Sequence, residues 1–274
     1  MTARKREERN DEKRMPFLDH LEELRWRLIK CIAAVMILTV VSYLFSGQLL
    51  SFLTRPFPVG RKLIFLSPAE GFIIRMKISL FGGIIFGLPV IFYQMWQFIA
   101  PGLLPHEKKY VPHIILISSF NFVVGALFAY FVIVPIGLNF LLSFETPDIE
   151  ATIRIRDYLG FVTNMMLAFG VVFELPVLSF LLARIGIITP EFMARYRRYA
   201  IVLIFVVAAI LTPPDVFSQI LLALPLLVLY EVSIVVARVA RRRRTKAATS
   251  EAPQEPEPSP THIEEAAPEP GAQD

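Results

Sequence analysis

Residues 28–45 read Leu-Ile-Lys-Cys-Ile-Ala-Ala-Val-Met-Ile-Leu-Thr-Val-Val-Ser-Tyr-Leu-Phe, an apolar run with a single charge, Lys30. At 1.5 Å per helical residue such a run covers about 27 Å, close to the ~30 Å hydrocarbon core of a bilayer. Basic residues precede it, as they do in a cleaved secretory leader. Phe45-Ser46-Gly47-Gln48 is a poor cleavage site, so the run reads as a retained membrane helix.

Five more apolar blocks follow, at about 75–100, 111–138, 157–182, 199–211 and 216–236. Together they predict an all-α, polytopic membrane protein of six spans. The chain is 55% hydrophobic and 19% charged, more apolar and less charged than an average soluble domain. Its charges gather in the gaps between blocks. The 47–74 gap carries Pro56, Pro58, Gly60 and Pro68 around apolar pieces and reads as a folded cap; 141–156 is a second gap on that side. Pro89 is expected to kink the second span, and Gly82, Gly83 and Gly87 to let helices approach closely.

Residues 1–15 are polar and read as a mobile N-terminus, 16–240 as the membrane domain, and 241–274 as a basic, then Pro/Glu-rich disordered tail. Of the 28 Lys and Arg, 21 fall on the side of the termini and seven on the other, which puts both ends in the cytoplasm. The last two spans are short. Tyr199 to Leu211 covers about 20 Å, and Thr212-Pro213-Pro214-Asp215 closes the hairpin tightly, so the turn is expected inside a thinned bilayer.

Several function classes drop out. The basic residues flank apolar blocks instead of lining a polar fold, which argues against a nucleic-acid partner. Cys31 is the only cysteine, and no two of His20, His106, His113 and His262 share a helix face at ligand spacing, so no metal and no cofactor is expected. No Walker, GxGxxG or GxSxG motif is present, and the chain does not read as an enzyme.

Glu174, beside Pro176, is a carboxylate within a span, costly unless it meets water, protein or a proton. It is either a hydrogen-bonded structural acid or a cavity residue. Phe17, Leu21, Leu24 and Leu28 form an apolar stripe at helical spacing, as in a helix at the membrane surface. Glu23 and Arg27 stand four apart and suit an ordinary pair. Glu107 lies on the same membrane side as Glu23, and two carboxylates there suit guanidinium ligands.

The chain resembles the TatC family, the core subunits of the twin-arginine protein translocase. The resemblance rests on His20-Leu21-Glu22-Glu23-Leu24-Arg25, on Tyr93-Gln94-Met95-Trp96-Gln97-Phe98-Ile99-Ala100-Pro101-Gly102-Leu103 and on His106-Glu107. It continues in Ala168-Phe169-Gly170-Val171-Val172-Phe173-Glu174-Leu175-Pro176 and Leu211-Thr212-Pro213-Pro214-Asp215-Val216-Phe217-Ser218-Gln219. These strings lie in the family's order across about 15–240. The resemblance implies six helices in a concave, glove-like bundle in the bacterial cytoplasmic membrane. It implies a receptor for twin-arginine signal peptides of folded cargo, self-association, and TatA-like and TatB-like single-span partners, with export driven by the proton gradient.

By the same resemblance, Glu23 and Glu107 are the recognition carboxylates, with Arg25 and Phe98 in the recognition segments. Glu174 faces the cavity, and Thr212 and Gln219 form a polar patch for partner subunits. Pro213, Pro214, Asp215 and Pro56 have structural roles, as does Asp157. Lys108-Lys109 departs from relatives with arginines there, and the tail carries no family motif. Two other readings compete. A secondary transporter would suit Glu174 and kinked helices but lacks an internal repeat; an assembly factor would need no receptor site.

Overall fold

The computed structural model describes residues 3–58, 60–99, 111–146, 148, 151–211 and 216–251. Among them, regular structure is helical, apart from isolated bridge residues that include the parallel bridge between Ile64 and Arg154. Five helical stretches are long and apolar enough to cross a membrane: Asp19–Leu44, Glu70–Ile99, Pro112–Leu142, Ile155–Ile185 and Val216–Arg241. The remaining expected span is the short helix Arg197–Leu211, 15 residues.

Helix α1 (Ala3–Leu44) carries the first span and begins well before Pro16, where the apolar stripe suggested a start. Its early residues are mostly Arg, Glu and Lys, all good helix formers. Leu21, Leu24 and Leu28 of the stripe are exposed. So are Ile32, Met36, Ile37, Val40 and Leu44, and only 11% of this span is buried. Such exposure is ordinary where lipid is the solvent.

The cap after α1 opens with the helix α2 (Ser46–Thr54). Two tyrosines from the spans pin its end: Tyr130 Oη donates to Phe52 O at 2.6 Å and Tyr158 Oη to Leu53 O at 2.9 Å. Backbone bonds join Ile64 to the 153–155 strand-like segment, Ile64 N to Ile153 O at 3.2 Å and Ile155 N to Ile64 O at 3.1 Å. The guanidinium of Arg61 grips both oxygens of Glu145. The 47–74 segment is folded, as its apolar pieces suggested, and it is joined to the 141–156 segment in one cap.

The Arg61 guanidinium, then the Ala151 N–H at 2.9 Å, hold the Glu145 carboxyl at about 2, below its ordinary 4.5. A depressed carboxylate stabilises the fold above its unfolded value and loses that contribution as pH falls through the folded one. The thermal midpoint of detergent-solubilised protein is therefore expected to exceed that of Glu145→Gln at pH 6, with the gap closing as pH falls from 4.5 toward 2. A gap unchanged at pH 2.5 would show that the clamp adds nothing.

Helix α3 (Glu70–Ile99) starts earlier than Arg75 and is continuous through Pro89. It lies along α1 with almost no gap. A Cβ at Gly83 would stand 2.7 Å from Thr39 N, and one at Gly82 would stand 2.9 Å from Ser42 Oγ. Helix α4 (Val111–Phe128) passes through a π turn at Ala129–Ile133 into α5 (Val134–Leu142). The wide turn, with Val134 N bonded to Ala129 O, precedes Pro135, whose ring and missing N–H spoil an α-helical ladder.

The fourth span is two helices, α6 (Ile155–Phe173) and α7 (Leu175–Ile185), meeting at Glu174. Pro176 cannot donate to Val172 O, and Glu174 N turns back to Val171 O at 3.1 Å. Gly186, with φ 89°, closes α7 in the left-handed conformation that glycine adopts freely. The short α8 (Pro190–Arg195) is capped by Thr189 Oγ1, which accepts from Phe192 N at 3.1 Å.

Helix α9 (Arg197–Leu211) is as short as expected, but α10 (Val216–Glu251) has 36 residues, so the last helix is not short. The sequence reading ended it where apolar residues stop. Arg241 to Ala248 contains strong helix formers and no proline, so the backbone continues beyond the apolar part.

The main core joins Leu53, Ile78, Tyr130, Tyr158, Val162 and Phe169 with Ala208 and Leu222. A second cluster around Trp96, Phe92, Phe122 and Leu181 ties α3 to α4 and α7. A third, with Ala183, Met193, Ile234 and Ala237, fixes α10 against α7 and α8.

Candidate functional site

Two polar constellations stand out in this apolar frame. The first lies where α1 meets the end of α3. Glu23 and Arg27 sit one turn apart, and the pair their spacing allowed is formed: Arg27 Nε donates to Glu23 Oε1 at 2.9 Å and Nη2 reaches the same oxygen. Arg27 Nη1 turns to Gln97 Oε1 at 3.3 Å and toward Gln94 Oε1 at 3.5 Å. Gln97 in turn donates to Tyr93 Oη at 2.8 Å.

His20 Nδ1 stands 3.5 Å from Glu23 Oε2. The His20 ring stacks on Phe98, with centroids 4.1 Å apart and planes 12° from parallel. The structure thus brings Glu23 and Phe98 into one cluster through His20. Arg25, two residues from Glu23, is exposed on another side of the helix. Glu107 lies outside the described residues. Sequence reasoning passed over Gln94 and Gln97 as site members, although two amides one turn apart at the end of an apolar span were a usable signal.

The second constellation surrounds Glu174 at the break between α6 and α7. Its carboxyl lies beside the Ser118 hydroxyl and the Phe122 backbone of α4. Oε1 is buried without a hydrogen-bond partner among the described residues, as is Ser119 Oγ. Asn121 donates its amide to Phe173 O, at the break. The backbones crowd here: a Cβ at Gly125 would stand 2.6 Å from Phe169 O, and one at Gly170 2.4 Å from the Phe122 ring. Asn121 and Ser118 were not singled out beforehand. Three-residue spacing of polar groups inside an apolar span was the available sign.

The other expected sites are scattered. Gln219 Nε2 donates to Phe205 O at 3.0 Å and so stitches α10 to α9. Thr212, Pro213, Pro214 and Asp215 lie outside the described residues. Pro56 is half-buried in the turn after α2, where Phe57 N bonds Thr54 O at 3.1 Å. Asp157 sits in the first turn of α6, where its charge favours the helix N-terminus. Among the described residues no cluster of His, Cys, Asp and Glu could hold a metal ion.

A family model described as "TatC: Sec-independent protein translocase protein (TatC)" matches residues 19–225. The chain is 42% identical over 238 residues to the "Sec-independent protein translocase protein TatC" of Desulforapulum autotrophicum, covering 85% of this chain and 88% of that protein. It is 42% identical over 235 residues to the protein of that name from Aquifex aeolicus, covering 84% of this chain and 98% of the relative. The solved structure of "Twin Arginine Translocase Receptor- TatC" superposes with a TM-score of 0.73 at 42% identity, covering 81% of this chain and 99% of that one. The same receptor solved in DDM gives 0.74. With its apolar spans, its helical fold and these relatives agreeing, the chain belongs to the TatC family of Sec-independent protein translocases, as a multi-pass membrane component of protein transport and not an enzyme.

Proposed function

We propose that this chain is the receptor and core scaffold of a twin-arginine translocase in a bacterial cytoplasmic membrane, with both termini in the cytoplasm. Twin-arginine signal peptides of folded cargo bind at Glu23 and Glu107, with Phe98 and Arg25 alongside. Glu174 faces the intramembrane cavity, TatA-like and TatB-like single-span subunits dock at Thr212 and Gln219, copies of the chain self-associate, and the proton gradient drives export. Thr212-Pro213-Pro214-Asp215 and Pro56 shape the turns.

The observation that carries the reading is the Glu23 carboxylate, which already holds a guanidinium beside a flat His20–Phe98 stack. Carboxylates bind guanidinium through paired hydrogen bonds that an ammonium cannot copy. The excess of 21 Lys and Arg over seven supports the orientation, and the name of the solved relative supports the receptor role.

The test is binding of a twin-arginine signal peptide to the purified protein, beside a twin-lysine peptide. Selective binding that Glu23→Ala with Glu107→Ala reduces by about 30-fold or more is expected, since each charged hydrogen bond contributes about 1.5–3 kcal/mol. Equal binding of both peptides, indifferent to the substitutions, would sink the site.

A further inference from the structure

Arg27 holds Glu23 as a visiting guanidinium would. Two of its nitrogens are on Glu23 Oε1, and the third faces Gln97 and Gln94 across the seam between α1 and α3. The arginine is well covered, its side chain 17% exposed, and that of Glu23 is 33% exposed. Building on the receptor reading of Glu23, we propose that Arg27 is an intramolecular occupant of that guanidinium site, displaced from Glu23 when a signal-peptide arginine takes its place.

The geometry gives Arg27 somewhere to go. Its Nη1 already reaches toward both glutamine oxygens on α3, so swinging off Glu23 leaves its charge solvated by amide dipoles. It also gives the newcomer a seat. The stacked His20 and Phe98 rings stand beside Glu23, and guanidinium planes pack on aromatic faces.

The consequence is a threshold. An arginine that displaces Arg27 restores the forked contact it breaks and gains the aromatic seat beside it, so the exchange is favourable. A lysine must break the same contact and returns only a point charge. The cost of breaking it is common to both ligands and cancels from their ratio, so the resident arginine lowers both affinities alike and leaves the discrimination to the fork.

The test uses the purified full-length protein with twin-arginine and twin-lysine signal peptides, and the variants Arg27→Gln, Arg27→Lys, Glu23→Gln and Arg27→Gln with Glu23→Gln. Arg27→Gln is expected to bind the twin-arginine peptide about three- to tenfold more tightly, the value of a partly exposed charged pair. Its gain for the twin-lysine peptide should be of the same size, so both affinities rise and the ratio between them holds. Both gains should vanish in the Glu23→Gln background.

Equal or weaker binding by Arg27→Gln, with an unchanged thermal midpoint, would overturn the proposal and make Arg27 a residue that merely positions Glu23. A gain that survives Glu23→Gln would also overturn it. If Arg27→Gln misfolds, Arg27→Lys carries the test, since its weaker grip should give a smaller gain of the same sign, and no gain overturns the idea. Failure of the receptor reading is distinct: wild-type protein would then bind both peptides alike and ignore Glu23→Gln.

Discussion

Gly83→Ala should lower the thermal midpoint of the solubilised protein and its level in the membrane, while Gly47→Ala should change neither. The added Cβ at Gly83 would stand 2.3 Å from Thr39 Oγ1, 2.7 Å from Thr39 N and 2.9 Å from its Cα. Real Cβ atoms do not approach backbone so closely. The hydroxyl could rotate, although it is already bonded to Val35 O at 2.7 Å; the backbone cannot move without prying α1 from α3. Overpacking of this kind costs about 1–3 kcal/mol. In lipid, helices associate through close packing more than through hydrophobic burial, so the loss has little to offset it. A Cβ at Gly47 meets nothing within 4 Å. An unchanged midpoint for Gly83→Ala would mean that the two helices lie further apart.

Glu174→Leu should give the opposite dissociation, a protein at least as stable as wild type that no longer exports. Glu174 Oε1 is buried with no partner among the described residues. Leaving a buried polar group unmatched costs about 1–3 kcal/mol, which a leucine of similar length removes. The break at this position belongs to Pro176 and to the Asn121 contact with Phe173 O, so it should survive the substitution. A buried acid kept at such a cost is the ground for expecting export to fail without it. A large fall in midpoint would instead make Glu174 a structural fastener, and intact export would remove it from the function.

The sequence carried the spans well because lipid imposes a rule that reads locally: about twenty apolar residues, with charges at the ends. The short α9, the break near Glu174 and the glycine contacts of α3 each had a visible local cause. Much of what escaped had none. Arg61 and Glu145 are 84 residues apart, and nothing nearby marks either as the other's partner. The tyrosines that hold α2, Tyr130 and Tyr158, looked like ordinary members of apolar spans. The length of α10 was misjudged because hydropathy reports where lipid ends, not where a helix does. In the candidate site, Glu23 and Phe98 rested on resemblance to the family, whereas the amides of Gln94 and Gln97 were a local sign whose partner, Arg27, became visible only when α3 was set beside α1.

The bareness of α1 bears on traffic within the membrane. Its outer flank of Ile32, Met36, Ile37, Val40 and Leu44 is exposed, with no other described part of the chain close enough to cover it. Exchanging a lipid tail for another hydrocarbon there frees no water, so hydrophobicity offers almost no reward for a permanent neighbour. A neighbour there would have to be held by close packing of side chains or by polar contacts elsewhere on the chain. A helix anchored firmly along one edge and left unclaimed along the other behaves like a quay, fixed to the land and open to whatever vessel next draws alongside.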